Sequence, residues 1–161
     1  MKKKNQTKRQ IFSQKMKDYR EFLVEDYDFD WVYILKLLIF KLSRTRKHIV
    51  GHSIITDAKK VGNQIKQVED LLDRVVKNKY YEVISKDHKK KYGEINLLCG
   101  KDESKNSGTI DFSYPKVKTE KDNDKAIKES EYLFIKAYKM QREDLKKALD
   151  LMYENLFGWW D

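Results

Sequence analysis

The chain has 161 residues, 40% of them apolar and 38% charged, and a formal net charge of +9. That length supports one compact domain burying about 70% of its unfolded surface and excludes most large architectures. The lone cysteine, Cys99, has no second cysteine to pair with, which excludes a small disulfide-stapled secreted fold.

The charge is unevenly distributed. Positions 1–20 hold eight basic residues, Lys2, Lys3, Lys4, Lys8 and Arg9 among them, against Asp18 alone. This leaves +7 in the arm and +2 over the rest of the chain. A second basic stretch, 31–56, carries Lys36, Lys41, Arg44, Arg46 and Lys47 with no carboxylate. No apolar h-region follows the basic start, and the most apolar run, 31–42, is interrupted by Lys36 and Lys41. Neither a signal peptide nor a membrane span is therefore expected, and the expected location is cytoplasmic.

With one proline and six glycines, helices are expected to dominate. Over 8–24, Ile11, Phe12, Met16, Tyr19, Phe22 and Leu23 recur at helical spacing. The acidic run 25–30 ends that helix and offers a cap for the next, 30–50, whose stripe is Trp31, Ile34, Leu35, Leu38, Ile39 and Leu42. Gly51 is read as its terminator. A third helix, 56–78, repeats Val61, Ile65, Val68, Leu71, Leu72, Val75 and Val76, and the short 51–55 connection predicts an antiparallel hairpin with the second. A shorter helical piece is expected over 80–92. Segments 95–99 and 109–114 read either as a β-hairpin around a polar 101–108 loop or as irregular chain. The last helix, 123–157, aligns Ala126, Ile127, Leu133, Phe134, Ala137, Tyr138, Leu145, Leu149, Met152, Tyr153 and Leu156, with Gly158 ending it before a Trp159-Trp160-Asp161 hook. The resulting expectation is a mostly all-α bundle built on a helix hairpin and a long C-terminal helix. It would comprise a basic arm over 1–24 and one domain over 25–161, with a loop or β-hairpin insertion at 94–121.

Catalytic signatures are lacking. His48 and His52 have the i, i+4 spacing of a helical metal pair, but Gly51 falls between them and only the distant His88 and Cys99 could add ligands. Asp26, Asp28 and Asp30 resemble the start of a calcium loop, yet Trp31 occupies the glycine position. No nucleophile elbow or phosphate-cradling glycine loop is present. The residues favour a binding protein and indicate no enzyme without excluding one, and no cofactor or metal is expected.

The basic stretch carries more chemistry. Lys41, Arg44 and His48 advance by three and four residues along one helix face, suited to an anionic ligand because guanidinium matches phosphate oxygens and ammonium adds a point charge. Arg74 is added as a further cation, whose alternative is an ion pair with Asp70. Trp159 and Trp160 offer rings for stacking, one of them being the expected plug of the bundle end.

The run Asp28-Phe29-Asp30-Trp31 with Leu35, Leu38, Lys41-Leu42 and Arg44, then Leu71-Leu72-Asp73-Arg74 and Gly158-Trp159-Trp160-Asp161, resembles a group of small proteins encoded by tailed bacteriophages. The resemblance covers 26–81 and 132–161. It implies a phage origin, a role inside the infected bacterial cell and an all-helical domain, and attaches no activity. Phages also encode small proteins that sequester nucleotide signals of bacterial immunity in basic, aromatic-lined pockets. The set Lys41, Arg44, Arg46, His48, Arg74 and the tryptophans is similar in kind, as an analogy between sites. The leading expectation is a non-enzymatic accessory protein binding an anionic nucleotide-like ligand at Lys41, Arg44, His48, Arg74, Trp159 and Trp160, with a homo-oligomer among its expected states. The alternatives are a DNA- or RNA-binding protein using Lys2, Lys3, Lys4, Lys8 and Arg9, and a protein-binding or virion component using an apolar face.

Overall fold

The computed structural model describes residues 7–24, 30–53, 55–102 and 107–160. Where the sequence suggests one domain over 25–161, the chain gathers into two compact units, Met1–Val76 with Asn155–Asp161, and Lys77–Glu154. The architecture is helical with a single two-stranded sheet.

In the first unit α1 spans Lys8–Leu23. Its start is fixed by a capping box: the Gln10 N–H donates to Thr7 Oγ1 at 3.3 Å, and the Thr7 N–H donates to Gln10 Oε1 at 2.8 Å. Lys2, Lys3 and Lys4 of the arm lie outside the described residues, as do positions 25–29 of the acidic run. Asp30, the last of that run, caps α2 (Trp31–His52) by accepting the Val32 N–H at 2.9 Å.

Gly51 does not end α2. The helix runs through it to His52 and closes at Ser53, which adopts a left-handed φ of 47°. A Cβ at Gly51 would meet nothing, so its presence in the last turn answers no steric demand. The α2 core face also differs from the expected stripe. Leu35, Leu42 and Ile49, seven residues apart, are buried together with Tyr33, whereas Trp31 and Ile34 are exposed. Ile34 is rotated off that face by the helical pitch, and Trp31 sits in the first turn, beyond the cover of its neighbours.

Helix α3, Ala58–Lys77, buries Ala58, Val61, Ile65, Val68, Leu72 and Val75, a three–four alternation that keeps one face inward. Asn78, at φ 46°, follows its last turn. Helices α2 and α3 form the expected antiparallel hairpin: Arg46 meets Glu69, and further along α2 Val50 meets Gly62. A Cβ on Gly62 would lie 2.5 Å from Val50 Cγ2, so glycine permits this close approach. Trp159, in a 3-10 turn over Phe157–Trp159, is 1% exposed and belongs to the same unit.

The second unit starts with α4 (Tyr80–Ile84) and α5 (Lys86–Tyr92), which divide the single helix expected over 80–92 at buried Ser85. Strands β1 (Asn96–Asp102) and β2 (Ser107–Ser113) form the β-hairpin, antiparallel with Cys99 opposite Ile110; positions 103–106 of its loop lie outside the described residues. Gly93 adopts φ 89°, and a Cβ there would sit 2.7 Å from Pro115 Cγ, so the chain turns tightly enough for the Lys116 N–H to reach the Tyr92 carbonyl at 3.2 Å. Asn123 secures the hairpin to the following helix: its Nδ2 donates to the Phe112 carbonyl at 2.9 Å, and its Oδ1 accepts the Tyr114 N–H at 3.1 Å.

Helix α6 runs from Glu120 to Asn155, 36 residues and about 54 Å at the usual rise. Thr119 caps it, accepting the Asp122 N–H at 3.1 Å. Tyr92, Tyr114 and Ala126 form a local core with Val117 and Ile127 packed against it. Of the stripe expected on α6, Ala126 and Ala137 are buried and the large residues are not. Its buried residues are Ala126, Ala137 and Ala148, eleven apart and therefore three turns apart on one face, while Phe134, Tyr138, Leu149 and Tyr153 are exposed. No helix among the described residues is long and apolar enough to cross a membrane.

Candidate functional site

The α2 row is built into the helix packing of the first unit. Lys41 and His48 are exposed, but Arg44 pairs through Nη1 with Asp18 on α1. Its guanidinium carbon stands 5.9 Å from the Tyr19 ring centroid and 5.6 Å from that of Phe40, and those rings meet edge to face at 5.2 Å. One cation thus joins an ion pair and two ring contacts, which fastens α1 to α2. The hydrogen bond from Arg44 holds the Asp18 carboxyl below the usual carboxylate range, with Gln14 adding to it. Arg46 grips Glu69 with two parallel bonds, Nε to Oε1 at 2.9 Å and Nη2 to Oε2 at 3.1 Å.

The histidine pair lies on one uninterrupted helix. His48 and His52 have ring centroids 4.5 Å apart, and His52 Nδ1 lies 3.0 Å from the His48 carbonyl oxygen. No group of three potential metal ligands occurs among the described residues. Arg74 is exposed and already has an interaction partner, while Asp70 pairs with Lys66 at 2.6 Å. Trp159 is the buried plug and Trp160 is 62% exposed, so of the two only Trp160 presents a ring to solvent. Lys8 and Arg9 are exposed at the start of α1.

The second unit contains a groove of about 920 Å³, within the range of small-molecule sites, and none of the six residues above lines it. Lys121, Lys125, Lys128 and Tyr132 follow one another on α6 at i, i+4, i+7 and i+11, which brings all four to one side of the groove. Ile84 and Leu133 supply apolar lining, and Tyr132 is exposed. Lys121, Lys125 and Lys128 form no ion pair among the described residues.

Lys91, on the α5 side, lies 3.4 Å from Glu129 Oε2 and 4.3 Å from the Tyr92 ring centroid. The Tyr92 hydroxyl and then Glu129 hold its ammonium above the usual value, against the effect of burial. Burial would raise the Glu129 carboxyl, but hydrogen bonding from Tyr92 and the charge of Lys91 outweigh it and lower the pKa. His88 is 7% exposed, with Nε2 donating to the Ala126 carbonyl at 2.9 Å, which holds its ring in place beside the groove. Asp87 and Asp124 add carboxylates at the rim. The groove therefore offers unpaired ammonium groups, an aromatic face and hydrogen-bond acceptors, without a nucleophile–base pair.

A cleft of about 420 Å³ lies beside the hairpin, between Ile95, Phe112 and Tyr114 on one side and Ile127, Phe134 and Ile135 of α6 on the other. The Tyr81 and Ser130 hydroxyls share a hydrogen bond of 2.7 Å across its wall. Burial raises the Tyr114 phenol above its usual pKa.

Comparison with protein-family models, curated proteins and solved structures finds no match to the chain. The groove residues were legible in principle: the Lys121, Lys125, Lys128 and Tyr132 spacing is written in the sequence. The signal is diluted because Lys136, Lys139, Lys146 and Lys147 continue along the same side of the helix, so spacing alone does not single out the groove set.

Proposed function

We propose that this chain is a non-enzymatic binding protein for an anionic nucleotide-like ligand, held in the α6 groove rather than along α2. The observation that carries the reading is a set of three lysines that form no ion pair among the described residues, Lys125 acting only through its charge on Glu129, beside the exposed Tyr132 ring in an open groove with apolar lining. Lysines supply movable donors to phosphate oxygens, and a tyrosine face stacks a base with about 1–3 kcal/mol per base. The rim carboxylates Asp87 and Asp124 would accept from sugar hydroxyls or base amines. Arg44 supports the α2 row less, because Asp18 already takes its charge. A phage accessory role is the context given by the sequence resemblance, and sequestering a bacterial immune signal carries the analogy drawn for the α2 set over to the lysines and Tyr132 of the groove.

The test is a thermal-shift panel on the full chain with cyclic oligonucleotides, NAD-derived metabolites, and short DNA and RNA. A ligand at about a hundred times its dissociation constant adds roughly 2.7 kcal/mol, equivalent to about 5–11 °C for a chain of this size. The expected result is a shift with one small nucleotide that K125E/K128E abolishes and K41E leaves intact. A shift that survives K125E/K128E, or one that K41E removes, would return the site to α2. Binding of DNA and RNA alone, falling steeply with salt, would favour the basic arm.

A further inference from the structure

Helix α6 buries its alanine face within the chain and leaves a second, apolar face open. Glu131, Ile135, Tyr138, Arg142, Leu145, Leu149 and Met152 alternate by four and three residues, the repeat of a helix seam that packs against another helix. At its centre Phe134, Ile135 and Tyr138 are 66%, 67% and 56% exposed. We propose that this face pairs with the same face of a second copy of the chain, antiparallel, about a two-fold axis that crosses α6 between Lys136 and Ala137.

The sequence of the seam fixes both the partner and the direction. Glu131 and Arg142 are equidistant from that axis, as are Ile135 and Tyr138. Two-fold antiparallel pairing therefore sets Glu131 of each copy against Arg142 of the other, and Ile135 of each against the other's Tyr138. Neither Glu131 nor Arg142 forms an ion pair among the described residues, and the Arg142 guanidinium lies 5.8 Å from the Tyr138 ring centroid, where it flanks the apolar centre. Parallel pairing would set Arg142 against Arg142. An antiparallel register centred further along α6 would place Arg142 against Leu145 and leave both charges desolvated without a partner. The charge pattern thus selects one self-complementary arrangement over 131–142; beyond it the same two-fold sets Leu145, Leu149 and Met152 against Lys128, Asp124 and Lys121 of the other copy, so the apolar part of the interface along α6 is confined to 131–142.

The area is also adequate. With Glu131, Arg142 and the neighbouring Ile95 and Phe112 of the cleft, the exposed patch amounts to roughly 600–700 Å² per copy, against about 800 Å² per partner in a standard interface. This places the dimer in the range of a reversible, concentration-dependent association.

The experiment is sedimentation of the full chain over a dilution series, with circular dichroism to confirm that each variant keeps its helicity. The wild-type protein is expected to reach twice the 19.4 kDa chain mass at high concentration. R142E and E131R are each expected to weaken association by about tenfold or more, because each reversal sets two like-charge contacts across the axis. E131R/R142E in one chain, and an equimolar mixture of the two single variants, are both expected to restore it. A wild-type chain that stays monomeric throughout, with the face covered by another protein or by the rest of its own chain, overturns the proposal. So does a dimer indifferent to both reversals, or one that the double variant fails to restore.

Discussion

Arg46 and Glu69 offer the sharpest test of how the helix hairpin of the first unit is held. Glu69 is 5% exposed in the middle of α3, and both of its carboxylate oxygens are taken by the Arg46 fork from α2. Arg46→Ala strands that carboxylate. Breaking a buried pair from one side costs about 3–5 kcal/mol, and because the Arg46 side chain keeps 27% exposure, water can reach the site and the lower end applies, about 3 kcal/mol. In a chain of this length that is about 6–12 °C in the melting midpoint. Arg46→Lys keeps the charge but loses the fork, so about 1 kcal/mol is expected. Removing both groups with R46M/E69L leaves no buried charge and should recover most of the loss. Urea and thermal unfolding followed by far-ultraviolet circular dichroism measure all three. R46A within about 0.5 kcal/mol of wild type would refute the reasoning, since Glu69 would then be hydrated; so would an R46M/E69L variant as unstable as R46A.

Other positions give independent expectations. Gly62→Ala should destabilise by about 1–2 kcal/mol despite alanine's better helix propensity, because the new methyl lies 2.5 Å from Val50 Cγ2; V50A/G62A should return stability to wild-type level or above, read from urea midpoints. Trp159→Ala should cost about 3–5 kcal/mol for a ring 1% exposed, whereas Trp160→Ala should change stability by less than about 0.5 kcal/mol, and equal effects would show that the terminal segment is not packed. Asp18, whose folded carboxyl is depressed chiefly by Arg44, contributes stability above the ordinary carboxylate pKa and loses it as pH falls through its folded pKa. Wild type and D18N should therefore differ near neutrality and converge in acid. A difference that persists at low pH would show that the Arg44 contact is not electrostatic.

Helix identities were legible because period and punctuation agree. Ile65, Val68, Leu72 and Val75 repeat at three and four residues, and Thr7 and Asp30 stand where caps are needed. Periodicity places apolar residues on a face without saying what covers it, and there the reading of α6 departed from the structure. The sequence presents Phe134, Tyr138 and Leu149 as core beside Ala126 and Ala137, but only the alanines, with Ala148, are buried, because small side chains permit close approach and carry little hydropathy to set them apart from their large neighbours. Gly51 misled for a related reason: glycine marks helix ends on average, yet Ser53 takes the left-handed position here. Arg44 looked like a ligand cation because the sequence does not reveal that Asp18, 26 residues away, would face it.

Helix α6 presents three faces of different chemistry. Its alanine face buries, its lysine–tyrosine face lines the groove, and its heptad face presents Glu131 and Arg142 on either side of an apolar centre. A helix that only stabilised a core would be expected to hide its phenylalanine and tyrosines, since exposing large aromatics forgoes about 1.5–3 kcal/mol of burial each. Exposed Phe134, Tyr138 and Tyr153 beside buried alanines form an apolar surface of the kind that marks an interaction site. Because the two-fold that sets Glu131 against Arg142 also sets Lys121 and Lys128 of the groove against Met152 and Leu145 of the other copy, pairing two copies would bring the groove lysines to the edge of the interface. Any ligand held by those lysines would then couple to assembly, a linkage visible as a ligand-dependent change in the dimer's dissociation constant.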